Sequence, residues 1–82
     1  MNKTLYGLIF ELTHDACPES YVVYDDGKQI ATVTYHWGVM TCRKDGKDVY
    51  TRHAEYDWLS RFRNDNERTE WLEDAARHIK AA

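Results

Sequence analysis

Tyr21-Val22-Val23-Tyr24-Asp25-Asp26-Gly27-Lys28-Gln29-Ile30-Ala31-Thr32-Val33-Thr34-Tyr35-His36-Trp37 is the stretch whose reading decides the fold. Strand formers stand on both sides of Asp25-Asp26-Gly27. Asp and Gly tolerate the positive φ that a tight two-residue hairpin demands, so the chain doubles back there as antiparallel strands. From Gln29 onward the side chains alternate. Ala31, Val33, Tyr35 and Trp37 form the set expected to face a core, and Ile30, Thr32, Thr34 and His36 form the other face. Gly38 marks either a turn into a further strand, Val39 to Arg43, or a glycine bulge in one long strand.

The same logic extends in both directions. Lys44-Asp45-Gly46-Lys47 is a second hairpin signal leading into Asp48 to His53. Its likeness to the first is read as turn chemistry recurring, because such turns favour Asp-Gly. Upstream, Leu5 to Leu12 is nearly continuously apolar and is expected to be a central strand covered on both faces. Asp15 to Ser20, with Pro18, is expected to be a loop.

Downstream of His53 the period changes. Trp58, Leu59 and Phe62 predict a short helix from about Glu55 to Arg63. Asn64-Asp65-Asn66 breaks it and caps a longer helix, with Asp65 or Asn66 as the expected acceptor. Trp71, Leu72, Ala75, Ala76 and Ile79 make that last helix's apolar stripe, and Glu67, Glu70, Glu73 and Asp74 its wet face. The expected fold is a single α+β domain over residues 1–82. It is a meander of four or five antiparallel strands with two C-terminal helices packed on one face. The expected core is Leu8, Phe10, Val33, Tyr35, Trp58, Leu59, Phe62, Trp71, Leu72, Ala75 and Ile79.

Composition narrows the function classes. The 82 residues are 43% hydrophobic and 13% aromatic, too rich for disorder, and carry a formal charge of −3. Glu11 cuts the first apolar run too early for a signal peptide, and no stretch approaches the ~20 apolar residues of a membrane span. Two cysteines, Cys17 and Cys42, are too few for a disulfide-stapled domain and read as small, buried, reduced thiols in a cytoplasmic protein. Zinc held by His14, Cys17, Cys42 and His36 or His53 lacks any paired ligand spacing, so neither metal nor cofactor is expected. No nucleophile elbow, phosphate-binding glycine loop or dinucleotide fingerprint occurs, so catalysis is not expected, and a small metal-binding or enzymatic domain stands as a second alternative to binding.

Binding remains. Two acidic surfaces are candidates for meeting a partner: Tyr24, Asp25 and Asp26 at the first hairpin tip, and Glu67, Glu70, Glu73 and Asp74 on the last helix. The alternative is nucleic-acid binding by Arg43, Lys44, Lys47, Tyr50 and Arg52. The span 31–52 carries a local charge of +2, flanked by segments of −3 and −2. Three Trp and six Tyr exceed what so small a core takes up, and a homodimer would bury some of them.

The hairpin Tyr24-Asp25-Asp26-Gly27-Lys28-Gln29-Ile30, the short meander after it and the Trp-containing acidic helix from Glu67 to Ile79 resemble, in outline, the small proteins that phages and other mobile elements use against bacterial defence, anti-CRISPR proteins among them. That resemblance implies an inhibitory binder of a protein or protein–nucleic-acid complex. It carries over no individual residue.

Overall fold

Four of the five strand connections consist of two residues ending in glycine, and they account for every glycine in the chain. Tyr6-Gly7, Asp26-Gly27, Trp37-Gly38 and Asp45-Gly46 all hold positive φ at both positions, between 52° and 79°. This is the mirror-image turn whose twist matches that of paired strands. A computed structural model describes residues 2–55 and 60–82. In it these turns fold the chain into one antiparallel sheet of six strands in sequential order: β1 (Asn2–Leu5), β2 (Leu8–Asp15), β3 (Glu19–Asp25), β4 (Lys28–His36), β5 (Val39–Lys44) and β6 (Lys47–His53).

The architecture corrects several expectations. The sheet has six strands because the apolar run from Leu5 breaks at Tyr6-Gly7, and β1 folds back on β2 with Leu5 opposite Leu8. β2 is therefore next to an edge and is covered on one face only, with Leu8 and Phe10 buried but Ile9 40% exposed. The expected loop at Asp15–Ser20 shrinks to residues 16–18, because β3 starts at Glu19. Trp37 leaves the core face for the turn and is 61% exposed. Single-residue irregularities near Thr13, Ile30 and Val49 shift the register locally.

Only one helix is present among the described residues, α1 (Asp65–Ala81). Residues 60–64 follow a bent, non-helical path, and the expected core positions Trp58 and Leu59 lie outside the described residues. The cap falls one residue earlier than expected: Asn64 accepts from the Glu67 amide at 2.8 Å, and Glu67 accepts from the Arg63 amide at 3.0 Å. At the other end Lys44 donates to the carbonyls of Ile79 and Ala82 at 3.1 and 3.0 Å, so a β5 side chain closes the helix.

Helix α1 lays Trp71, Leu72, Ala75, Ala76 and Ile79 on one face of the sheet. There they meet Leu8, Phe10, Tyr21, Val23, Val33, Tyr35, Met40 and Cys42, all close to fully buried. Phe62 stacks on Tyr35 with ring centroids 4.3 Å apart, and Trp71 meets both rings edge-on. Offset and edge-on pairs of this kind add about 0.5–1.5 kcal/mol beyond the burial of their area.

Candidate functional site

Strand alternation gives the sheet two faces, and α1 covers one of them. The uncovered face takes the residues between the buried ones: Ile9 and Glu11 on β2; Ser20, Val22 and Tyr24 on β3; Thr32, Thr34 and His36 on β4; Val39, Thr41 and Arg43 on β5. The register sets these in rows across the strands. One row runs Asn2, Glu11, Val22, Thr32, Arg43, Asp48, and the next runs His14, Ser20, Thr34, Thr41, Thr51. Hydroxyls thus stand side by side on four consecutive strands, at the roughly 5 Å spacing of paired strands. Exposed at the two ends of the sheet are Tyr6 and Trp37, each in a turn position that Asn, Asp or Gly usually takes.

The charged side chains singled out in the sequence mostly satisfy one another within the chain. Asp74 accepts from Tyr50 Oη at 2.5 Å and from Arg52 Nη1 at 3.2 Å, and Arg77 reaches it at 3.1 Å. Burial pushes the Asp74 carboxyl up, but the bonds from Tyr50 and Arg77 and the charge of Arg52 outweigh that and hold it below the usual range. The same hydrogen bond raises the Tyr50 phenol. Arg52 also lies over the Trp71 ring at 4.3 Å and reaches Glu70 at 3.9 Å. The acidic helix and the basic hairpin, two separate candidates in the sequence, therefore meet as one network.

Of the remaining candidates, Glu67 serves the helix cap, Lys44 closes the helix, and Arg43 pairs with Asp48 at 3.0 Å. Glu70, Asp25, Asp26 and Lys47 are exposed, and Glu73 is half-buried. Tyr24 lies half-buried on the uncovered sheet face, apart from the helix candidates. No family model, curated protein or solved structure matches this chain.

Glu19 carried no special signal in the sequence, yet it is the one buried charged side chain among the described residues, 1% exposed. Arg68 grips it with two nitrogens at 2.7 and 3.2 Å, the Phe62 amide donates to it at 3.1 Å, and Tyr21 Oη donates as well. Burial first, and then the Glu19 carboxylate, raise the Tyr21 phenol, while the bonds to Glu19 raise Arg68. The Ser60 carbonyl accepts from the amides of Cys17 and Glu19, at 3.3 and 2.8 Å. This cluster anchors the β6–α1 connection to β3. A carboxylate so fully engaged is a structural tie and is poorly placed for proton transfer.

Cys42 sits in the core, where burial and the Asp74 charge push its thiol up to about 12. Cys17 is exposed rather than buried as expected. No group of three His, Cys, Asp or Glu side chains among the described residues could hold a metal ion. An open groove of about 370 Å³ between the end of β6 and the start of α1 is lined by Arg52, His53, Arg63, Glu55, Glu67 and Trp71. Its cations and carboxylates offset each other, and Arg52 is already committed to Asp74. No helix among the described residues is long and apolar enough to cross a membrane.

Proposed function

We propose that this chain is a non-enzymatic cytoplasmic binding domain, an inhibitor or adaptor, that engages a protein or protein–nucleic-acid complex through the uncovered face of its sheet. The observation that carries this reading is the contrast between surfaces. Most of the singled-out charges on α1 and β6 are engaged within the molecule, whereas a sheet face made mainly of Val, Ile, Tyr, Ser and Thr side chains, with Glu11 and Arg43 on its flanking strands, has no helix over it among the described residues. Interface centres are depleted in charge, and a contiguous weakly polar patch of this kind favours association. The inhibitory direction rests on the outline likeness to phage anti-defence proteins alone.

Direct nucleic-acid binding is the less supported reading. Arg43 is the only Lys or Arg on the described part of the uncovered face, and Lys44 and Arg52 are tied to α1. Phosphate recognition asks for a clustered basic footprint.

Affinity capture from a bacterial host extract tests the proposal, with the intact chain compared against Val22→Lys/Thr34→Lys and Glu70→Lys/Glu73→Lys. The proposal expects a protein retained by the wild type and the helix variant and lost with the sheet-face variant. Retention by the sheet-face variant, with loss in the helix variant, would overturn it.

A further inference from the structure

The geometry points to a second copy of this chain as an occupant of the uncovered sheet face, in a two-fold sandwich. This rests on reading that face as a binding surface, and it adds the identity of one partner and the register of contact.

The first argument is self-complementarity. Place a two-fold axis between the two sheets, parallel to the strands and midway between β3 and β4. It sets β3 over β4 of the other copy and β2 over its β5, the relation an isologous interface requires. Along the row Asn2, Glu11, Val22, Thr32, Arg43, Asp48, this operation brings Glu11 over Arg43 of the second copy, and Arg43 over its Glu11. Val22 and Thr32 exchange in the same way at the centre. Two opposite-charge pairs thus bracket an uncharged middle. In the next row Ser20 meets Thr34, again without like charges in contact. A net charge of −3 would oppose association if it lay on this face, but along this row Glu11 and Arg43 oppose each other, and Asp48, paired with its own Arg43, lies over the uncharged Asn2.

Side-chain capacity agrees. Arg43 uses its Nε on Asp48 and one Nη on the Gly46 carbonyl, and a guanidinium has five donors. Both partners of that pair are more than half exposed, at 58% and 60%, so Arg43 has room to take a second carboxylate.

The second argument is size. The Cα envelope measures 34 × 24 × 18 Å, and the short dimension suits a sheet with one helix layer over it. Six strands about 4.8 Å apart, averaging about seven residues at roughly 3.3 Å each, span a face of roughly 500–600 Å² in plan, a large share of the roughly 800 Å² per partner that a standard stable interface buries. Flat layers of β-branched residues pack best on another sheet, about 10 Å away with strands within roughly 30° of alignment.

Sedimentation equilibrium across the micromolar range tests the inference, on the wild type, Glu11→Arg, Arg43→Glu and the double exchange Glu11→Arg/Arg43→Glu, with circular dichroism to confirm folding. A dimer is expected for the wild type. Each single variant, which sets like charges face to face, is expected to weaken it by about tenfold or more. The double exchange restores the opposite pairs and is expected to recover the dimer. A monomeric wild type would overturn the inference while leaving capture of a different protein by the same face to be judged on its own. Single variants that dimerise as well as the wild type, or a double exchange that stays as weak as the singles, would overturn the proposed register.

Discussion

Arg68 Nε lies 2.7 Å from Glu19 Oε2, and the Glu19 side chain is 1% exposed. The pair joins the start of β3 to the first turns of α1, and the Phe62 amide adds the connecting segment to the same carboxylate. Removing Arg68 leaves the carboxylate charged in a low-dielectric site with only the neutral Tyr21 hydroxyl and Phe62 amide to hold it. Arg68→Met should therefore cost about 3–5 kcal/mol in urea unfolding, whereas Glu19→Leu/Arg68→Met should cost clearly less, because no lone charge remains. Equal losses in the two variants would show that the tie acts through packing alone.

Asp74 should control the acid limb of stability. Its carboxyl is held below the usual range in the folded chain, so its contribution is complete above about pH 4 and is lost as pH falls through the lowered value. Asp74→Asn should reduce stability at neutral pH by about 1–3 kcal/mol and flatten the fall on acidification. Thermal unfolding recorded from neutral to acid pH would check both effects.

Trp37 occupies a left-handed turn position at φ 52° and is 61% exposed. Left-handed backbone costs a bulky residue on the order of 1 kcal/mol, and Asn tolerates it. Trp37→Asn is expected to stabilise the fold by about 0.5–1 kcal/mol. Tyr6 holds the equivalent place in the first turn, but its hydroxyl accepts from Arg77 at 3.1 Å and its carbonyl from Lys80 at 2.9 Å. Tyr6→Asn should gain less or lose stability, because the hydroxyl contact goes. Chemical denaturation midpoints of the two variants give the comparison.

The two thiols should separate cleanly in reactivity. Cys17 is exposed, and Cys42 is buried with its thiol pushed up to about 12. The thiolate is the reacting form, so a chromogenic disulfide reagent should titrate one group in the native protein and two after unfolding. Two fast-reacting thiols in the native state would contradict the packing of β5 under α1.

What the sequence revealed follows from how ordinary each signal was. Asp26-Gly27 and Asp45-Gly46 were legible because Asp-Gly has few uses other than a tight turn. Tyr6-Gly7 lies inside an apolar run, and Trp37-Gly38 reads equally as a turn or a bulge. An aromatic side chain is an uncommon leader for such a turn, and one missed turn merged β1 with β2. The apolar stripe of α1 was plain from its 3.6-residue period. The spacing that predicts a helix up to Arg63 fails over residues 60–63, where hydrogen bonds to β3 and the β4–β5 turn override it. Charge patterning named Asp74, Tyr50 and Arg52 as surface candidates, but no local pattern shows that a helix will fold back over β6. Alternation did place Thr32, Thr34 and His36 on a second face. That α1, the one helix among the described residues, lies over the other face is a consequence of topology, which periodicity alone does not carry.

Backbone amide resonances followed from dilute to concentrated protein test the central claim most directly. If the uncovered face is the interaction surface and a second copy occupies it, shifts should concentrate at Val22, Thr32, Thr34, Thr41 and Arg43, with Glu70 and Glu73 on the outer face of α1 unchanged. Shifts confined to α1 or to the Asp25-Asp26 turn, with the sheet face silent, would contradict it.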